Sequence, residues 1–349
     1  MLAAETKAVA VAAPAKEPPH SWKQIVEPVE PFLEAVARRL AEQVQTFDPE
    51  IASYARYALT NQGKQLRPAL VALSAGSVGQ PNDNLITVAV IIEMVHLATL
   101  VHDDVMDEAV LRRQRPTLAA NWGNQISVLL GDCLFAHALK LAASFPTPEI
   151  CRAVSAATKT VCSGEILQTH RQRKFQFSRE EYFKVLEMKT AELFALSCEL
   201  GGWLCGATAP ERAGLRQFGL ALGTAYQIYV DCLDLFGSEA LVGKSLGTDL
   251  ATGKLTLPVL VALERANACD RARLRELIEC WNHGNVAPVL ELLDKHDALD
   301  EARAAIHQYL GSARDCLAAL PESENRLALA ALTGFLAQQT NALGFEFSP

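Results

Sequence analysis

The chain has 349 residues, half of them apolar, with 7% aromatics and a net charge of −8. That is ample material for a large core, and the dominance of Ala and Leu over aromatic residues favours packed helices over sheets. The acidic balance argues against a general nucleic-acid binder, which needs a basic field to meet phosphates.

Residues 1–22 are rich in Ala and Pro and carry Glu5, Lys7, Lys16 and Glu17. They lack the continuous apolar core of a signal peptide, so they are expected to be an unfolded lead-in to one domain over 23–349. Helical periodicity then recurs almost throughout. It predicts helices over 30–46, 48–60, 65–77, 84–106, 124–143, 148–169, 179–205 and 210–237. Further helices are expected over 255–267, 271–282, 286–294, 298–319 and 324–343. Turn chemistry marks the breaks at 79–84, 145–148, 206–210 and 243–253. The apolar run 85–101 is long enough to raise the question of a membrane span. Glu93 and His96 interrupt it and an acidic cluster follows at once, so it reads as a central helix buried on nearly all sides. The fold class expected is all-α: a single-domain helical bundle with its substrate cavity between the helices. Nine cysteines occur singly, with no CxxC pair, and read as reduced residues of a cytoplasmic protein.

The sharpest chemical feature is His102-Asp103-Asp104-Val105-Met106-Asp107, at the end of that apolar helix. Asp103 and Asp107 are four residues apart and share one helix face. Like charges there repel, and near a helix C-terminus they oppose the dipole, so cations between them relieve the conflict. Hard oxygen donors suit Mg²⁺, which takes one or two carboxylates and completes its shell with phosphate oxygens. A solvated acidic helix end would look the same in isolation. Arg112, Arg113 and Arg115 follow closely, and Arg forks match diphosphate oxygens. Upstream, Lys64 and Arg67 stand one turn apart as a second possible phosphate clamp.

Over 63–258 the sequence resembles the trans-polyprenyl diphosphate synthases, the polyprenyl synthetase family of isoprenoid synthase type I fold. The resemblance rests on GKQLRP, EMVHLATLVHDDVMDEAVLRRQRPT, GDCLFA, GEILQ, KTAELF, YQIYVDCLD and GKSLGTDLATGKLTLP, all in the family's order. It implies a prenyltransferase that condenses isopentenyl diphosphate with an allylic diphosphate, using Mg²⁺ (or Mn²⁺), and a homodimer. It assigns Asp103 and Asp107 to the metal, with Asp104 in support, and Arg112 to the allylic diphosphate. Lys64, Arg67, His96 and Arg113 would hold isopentenyl diphosphate. Lys189, Thr190, Gln227, Lys244 and Lys254 would line the allylic site. Of these, Lys189 and Lys244 would neutralise the leaving group, while Thr190 and Gln227 would turn oxygens to the carbocation.

There are two departures from the family's pattern. Gln114 stands where Gly is usual. The second acidic motif reads Val230-Asp231-Cys232-Leu233-Asp234, with valine in place of its first Asp, leaving Asp231 and Asp234 as the expected further metal ligands. Two other readings remain open: a catalytically weakened subunit of a heteromeric synthase, and a class I terpene cyclase. The cyclase has no use for an isopentenyl clamp such as Lys64, Arg67 and Arg113. Short-chain members of the family block elongation with an aromatic near the turn before the first acidic motif. Here Ala98 and Thr99 are small, and Val95, Met94 and Ile91 beyond them are not aromatic, so a product longer than C₂₀ is expected.

Overall fold

The computed structural model describes residues 21–60, 63–237 and 246–344. The expected lead-in falls outside these residues except for Ser21 and Trp22, which open a short helix with a capping box between Ser21 and Gln24. Counting that helix, seventeen α-helices occur in chain order among the described residues. They are α1 (Trp22–Val26), α2 (Glu30–Gln43), α3 (Ala52–Thr60), α4 (Leu66–Val78), α5 (Asp83–Met106), α6 (Leu118–Trp122), α7 (Asn124–Ala143) and α8 (Glu149–Arg171). Then come α9 (Arg179–Leu186), α10 (Glu192–Leu204), α11 (Ala209–Phe236), α12 (Thr248–Ala251), α13 (Leu257–Arg265) and α14 (Ala268–Glu279). The last three are α15 (Val286–Lys295), α16 (Ala298–Cys316) and α17 (Glu324–Ala342).

The all-α expectation holds. α5 lies at the centre because it is apolar on every side: Val88 to Ile92, Met94, Leu97 and Ala98 are all buried. It packs against α2, α4, α7 and α10, while α11 joins α10 to α16 on the other side of the molecule. Two apolar cores result, one around α5 and one around α11 and the C-terminal helices. α5 and α7 are both long and apolar enough to cross a membrane by length and composition alone. α5 is mostly buried in protein, whereas α7 leaves Val128 and Leu129 exposed.

Two local features differ from the sequence reading and shape the site. The helix expected over 179–205 is interrupted at Glu187–Ala191 by one wider, π-helical turn, which carries Lys189 and Thr190. Gly164 on α8 lets that turn come close, since a Cβ there would lie 2.8 Å from the Lys189 amide nitrogen. After α5 the chain makes a tight hairpin, β1 (Leu111–Arg112) and β2 (Arg115–Pro116), with Arg112 opposite Arg115. Its two turn residues, Arg113 and Gln114, have φ of 51° and 61°. Positive φ at both positions is the turn whose twist matches the flanking strands.

Candidate active site

Two cavities meet at the C-terminal half of α5. The larger part of the sequence-predicted set surrounds one of about 550 Å³: Asp103, Arg112, Lys189, Thr190 and Gln227, with His96, Arg67 and Arg113 on the shared wall. Its apolar lining includes Leu100, Val105, Phe135, Val161 and Ile166, and also Val230. The second, of about 570 Å³, is lined by Lys64, Arg67, His96 and Arg113, together with Glu93. Phe194, Tyr226 and side chains of α17 complete it. The two cation clusters of the sequence are therefore brought together, 63–67 from one side and 112–113 from the other. Gly63 is needed for this approach, because a Cβ there would run into the Arg113 guanidinium.

Each acid at the first cavity has a cationic neighbour. Asp104 accepts a hydrogen bond from Arg112 Nε at 2.7 Å, so it steadies that arginine. It is buried on another face of α5 and does not line the cavity with Asp103. Asp107 does not line that cavity either; it accepts from Lys254 Nζ at 2.8 and 3.0 Å, and Lys254 lines a small separate space with Asp231 and Asp249. Lys189 pairs with Glu165 and donates to Gln168 Oε1 at 2.8 Å. Burial pushes the Asp103 carboxyl up to about 6, with Glu165 and Asp107 adding to the rise and Lys189 and Arg112 opposing it. Lys254 is raised despite its burial, because Asp107 and Asp249 face it. In the shared wall, burial first and then Arg67 and Arg113 hold His96 well below its ordinary value, so it is neutral. Burial lowers Arg67, and Glu93 opposes that. The Arg67 guanidinium lies 5.1 Å from the Phe194 ring centroid, and its Nε has no protein partner.

The second acidic motif is placed differently from the expectation of metal ligands at Asp231 and Asp234. Val230 faces the cavity, and the two acids are committed elsewhere. Asp231 accepts from Tyr182 Oη at 2.6 Å and from Gln227 Nε2 at 2.7 Å. Asp234 accepts from Thr248 Oγ1 at 2.6 Å and from the Asp249 amide at 3.0 Å, which ties α11 to α12. Burial, reinforced by Asp249, pushes Asp231 up to about 7, although its two donors pull the other way. Lys244 lies outside the described residues. Glu165, Gln168 and Phe135 were present in the GEILQ and GDCLFA segments but given no role. Nothing in the sequence marks Tyr182.

The donor set suits a hard divalent cation. Among the described residues no three His, Cys, Asp or Glu side chains converge on one point. Mg²⁺ needs only one or two carboxylates when phosphate oxygens supply the rest of its shell. Asp103 offers one, raised by burial and by neighbouring acids, which is the conflict a dication relieves.

A helical protein with acids and cations converging on an apolar cavity, beside a second cation-lined cavity, is built to handle two phosphate esters with hydrocarbon tails. The sequence matches the polyprenyl synthetase family over residues 48–295. Octaprenyl diphosphate synthase of Haemophilus influenzae is 34% identical over 313 residues, covering 89% of this chain and 95% of that one. Nonaprenyl diphosphate synthase of Mycobacterium tuberculosis is 40% identical over 276 residues, 78% of this chain and 82% of that one. The polyprenyl synthase of Caulobacter crescentus, solved with calcium and isoprenyl diphosphate, superimposes with a TM-score of 0.86 at 32% identity, over 92% of this chain and 98% of that one. The chain belongs to the polyprenyl synthetase family and is a prenyltransferase of isoprenoid biosynthesis.

Proposed function

We propose that this enzyme holds isopentenyl diphosphate in the cavity of Lys64, Arg67 and Arg113. The allylic diphosphate lies in the cavity of Asp103 and Lys189, and the product is carried beyond C₂₀. The observation that supports this is the shared wall of Arg67, His96, Arg113 and Tyr226: two anion-binding cavities open onto each other where a new carbon–carbon bond would form.

Asp103 and Asp107 would hold Mg²⁺ or Mn²⁺, which when bound supplies positive charge against the departing diphosphate. Lys189, Lys254 and Arg112 add fixed cations to the same end. The allylic carbon–oxygen bond breaks with its electron pair going to the diphosphate. Thr190 and Gln227 turn oxygens toward the resulting cation. The isopentenyl double bond supplies the pair for the new carbon–carbon bond, and a proton then passes to the released diphosphate. Neutral His96 adds no charge beside the cation. Leu100, Phe135, Val161 and Ile166 keep water from quenching it.

A homodimer is the proposed assembly, with the exposed Leu129 of α7 as an apolar point on which a second copy of the chain would pack. Nine free cysteines suit a reducing compartment, and the cytoplasm is the proposed location.

The test is incubation of the pure chain with an allylic diphosphate, with and without isopentenyl diphosphate, in Mg²⁺ and after chelation. Elongated products that need both isopentenyl diphosphate and the metal support the proposal. Cyclised hydrocarbon without isopentenyl diphosphate overturns it. Val230 favours one second reading, a weakened subunit of a heteromeric synthase, and inactivity of the pure chain alone would select it.

A further inference from the structure

Asp231 is 6% exposed and accepts two hydrogen bonds, from Tyr182 Oη on Oδ2 and from Gln227 Nε2 on Oδ1. Both carboxyl oxygens of Asp231 act as acceptors, and the one that faces Gln227 draws the nitrogen end of its amide. The carbonyl end then faces the other way, where Oε1 accepts the Thr190 hydroxyl proton at 2.9 Å. With that proton committed, the lone pairs of Thr190 Oγ1 and the second lone pair of Gln227 Oε1 remain for the cavity that both residues line. Tyr182 is itself held edge-on between Phe177 and Phe183, with ring centroids 6.5 and 5.4 Å away. Neither Tyr182 nor Asp231 borders the allylic cavity; both line a small space behind its wall, beside Asp249 and Lys254.

We propose that Tyr182 and Asp231 are positioning residues for the condensation, fixing the Gln227 amide so that oxygen atoms, and not N–H groups, face the allylic cation. The proposal rests on the reading of Thr190 and Gln227 as the groups that face that cation. A reversed amide would aim the positive end of its dipole at a developing positive charge, opposing ionisation where preorganised dipoles should favour it. The valine at 230 is consistent with this division: the motif's remaining acids serve the polypeptide, Asp231 by orienting Gln227 and Asp234 by tying α12 to α11.

The experiment uses the full-length enzyme and the variants Tyr182→Phe, Asp231→Leu, Asp231→Asn, Gln227→Ala and the Asp231→Leu/Gln227→Ala double variant. Asp231→Leu should lower kcat roughly tenfold to a hundredfold with little change in KM for either diphosphate. Tyr182→Phe should lower it less. Asp231→Asn keeps an acceptor for the amide and should recover most of the rate, which also controls for misfolding of the leucine variant. In the Gln227→Ala background Asp231→Leu should add no further loss, because it acts through Gln227. Mn²⁺ bound per chain, counted by electron paramagnetic resonance with a non-ionising allylic thiolodiphosphate, should be the same in wild type and Asp231→Asn. Independent losses in the double variant, or fewer Mn²⁺ bound by Asp231→Asn, would overturn the positioning role. An unchanged kcat in Gln227→Ala would overturn the cation-facing reading beneath it, and the proposal with it.

Discussion

Lys254 Nζ donates to both oxygens of Asp107, at 2.8 and 3.0 Å, across a separation of 147 residues. The last acid of the first motif is thus neutralised by an amine of the same chain. A dication that engages Asp107 must displace that amine, which is then free to turn to a diphosphate oxygen. Lys254→Ala should therefore have two opposite effects. Mn²⁺ binding to the substrate-free enzyme should tighten, because a competing charge is gone, while KM for the allylic diphosphate should rise roughly tenfold. A variant that binds Mn²⁺ more weakly than wild type would mean that Lys254 supports the metal site.

Val230 tests the other acidic motif. Its side chain faces the cavity of Asp103 and Lys189, while Asp231 and Asp234 are held by other partners. Val230→Asp should place a new carboxylate at that wall and lower the Mg²⁺ concentration needed for half-maximal activity. The same carboxylate, uncompensated in the metal-free protein, should lower its melting temperature, since a charge leaving water must be paired. Metal titration of activity and melting curves with and without Mg²⁺ check both halves. An unchanged metal requirement would mean that the cavity wall at 230 does not approach the metal.

The legible part of this protein was its helices, because they are set by local spacing. The apolar run of α5 was placed correctly from its length and composition, and Asp103 near its end lines the cavity. What escaped depends on partners distant in sequence. The spacing of Asp231 and Asp234 looks like a ligand pair, but Tyr182, 49 residues away, and Thr248, 14 residues away, claim their oxygens. The π-helical turn at Lys189 and Thr190 has no Pro or Gly within it to announce it. The hairpin after α5 carries Arg113-Gln114 where a tight two-residue turn normally shows Asn or Gly.

That hairpin leads to a stability prediction. Gln114 sits at φ 61°, a conformation that costs a residue with a Cβ about 1–2 kcal/mol and costs glycine almost nothing. Glycine loses part of this advantage through its freer unfolded chain. Gln114→Gly should stabilise the protein by about 0.5–1 kcal/mol, near the limit of what a shift of about 1–2 °C reveals in a chain of this size. A β-branched residue such as Val should do the reverse. Denaturant melts of the three proteins decide, and a loss of stability in the glycine variant would show that the Gln114 side chain makes contacts worth more than the strain.

The raised carboxyls predict a dependence on pH. Asp103 at about 6 and Asp231 at about 7 are both pushed up first by burial, from an unfolded value near 4. A folded value above the unfolded one means that the native state holds protons the unfolded state has released. Their contribution to stability is therefore full below about pH 4 and lost as pH rises through 6 and 7. His96, held neutral by burial and by Arg67 and Arg113, acts in the opposite sense once the unfolded chain begins to protonate below about 6.5. Half-buried His137 acts in the same sense as His96, and only above about pH 7, where unfolded histidine has mostly lost its proton, should the metal-free enzyme lose stability as pH rises. Asp231→Asn should flatten that slope. Equal slopes for wild type and variant would mean that Asp231 does not carry its proton into this range.

Product length depends on what the growing chain meets beyond Asp103. Thr99, one turn before it, lines the same cavity as Asp103, whereas Ala98 is wholly buried and does not. The small pair expected to leave the passage open is thus reduced to one residue. The aromatic ring absent from that part of α5 is supplied by α7: Phe135 borders the same cavity and lies with its ring centroid 5.7 Å from that of His102. Leu100 and Val161 line the same cavity. Thr99→Phe should shorten the product, because close-packed walls cannot absorb a ring without strain. Phe135→Ala should lengthen it by removing a wall and leaving space the chain can enter. Ala98→Phe, in contrast, should act mainly on folding, since it forces a ring into a packed core. Chromatography of the products against polyprenyl standards separates these outcomes. If Phe135→Ala leaves the length distribution unchanged while Thr99→Phe shortens it, the chain turns away from α7 and its floor lies on another helix. A wild-type product that stops at C₁₅ or C₂₀ would remove the argument for an open passage altogether.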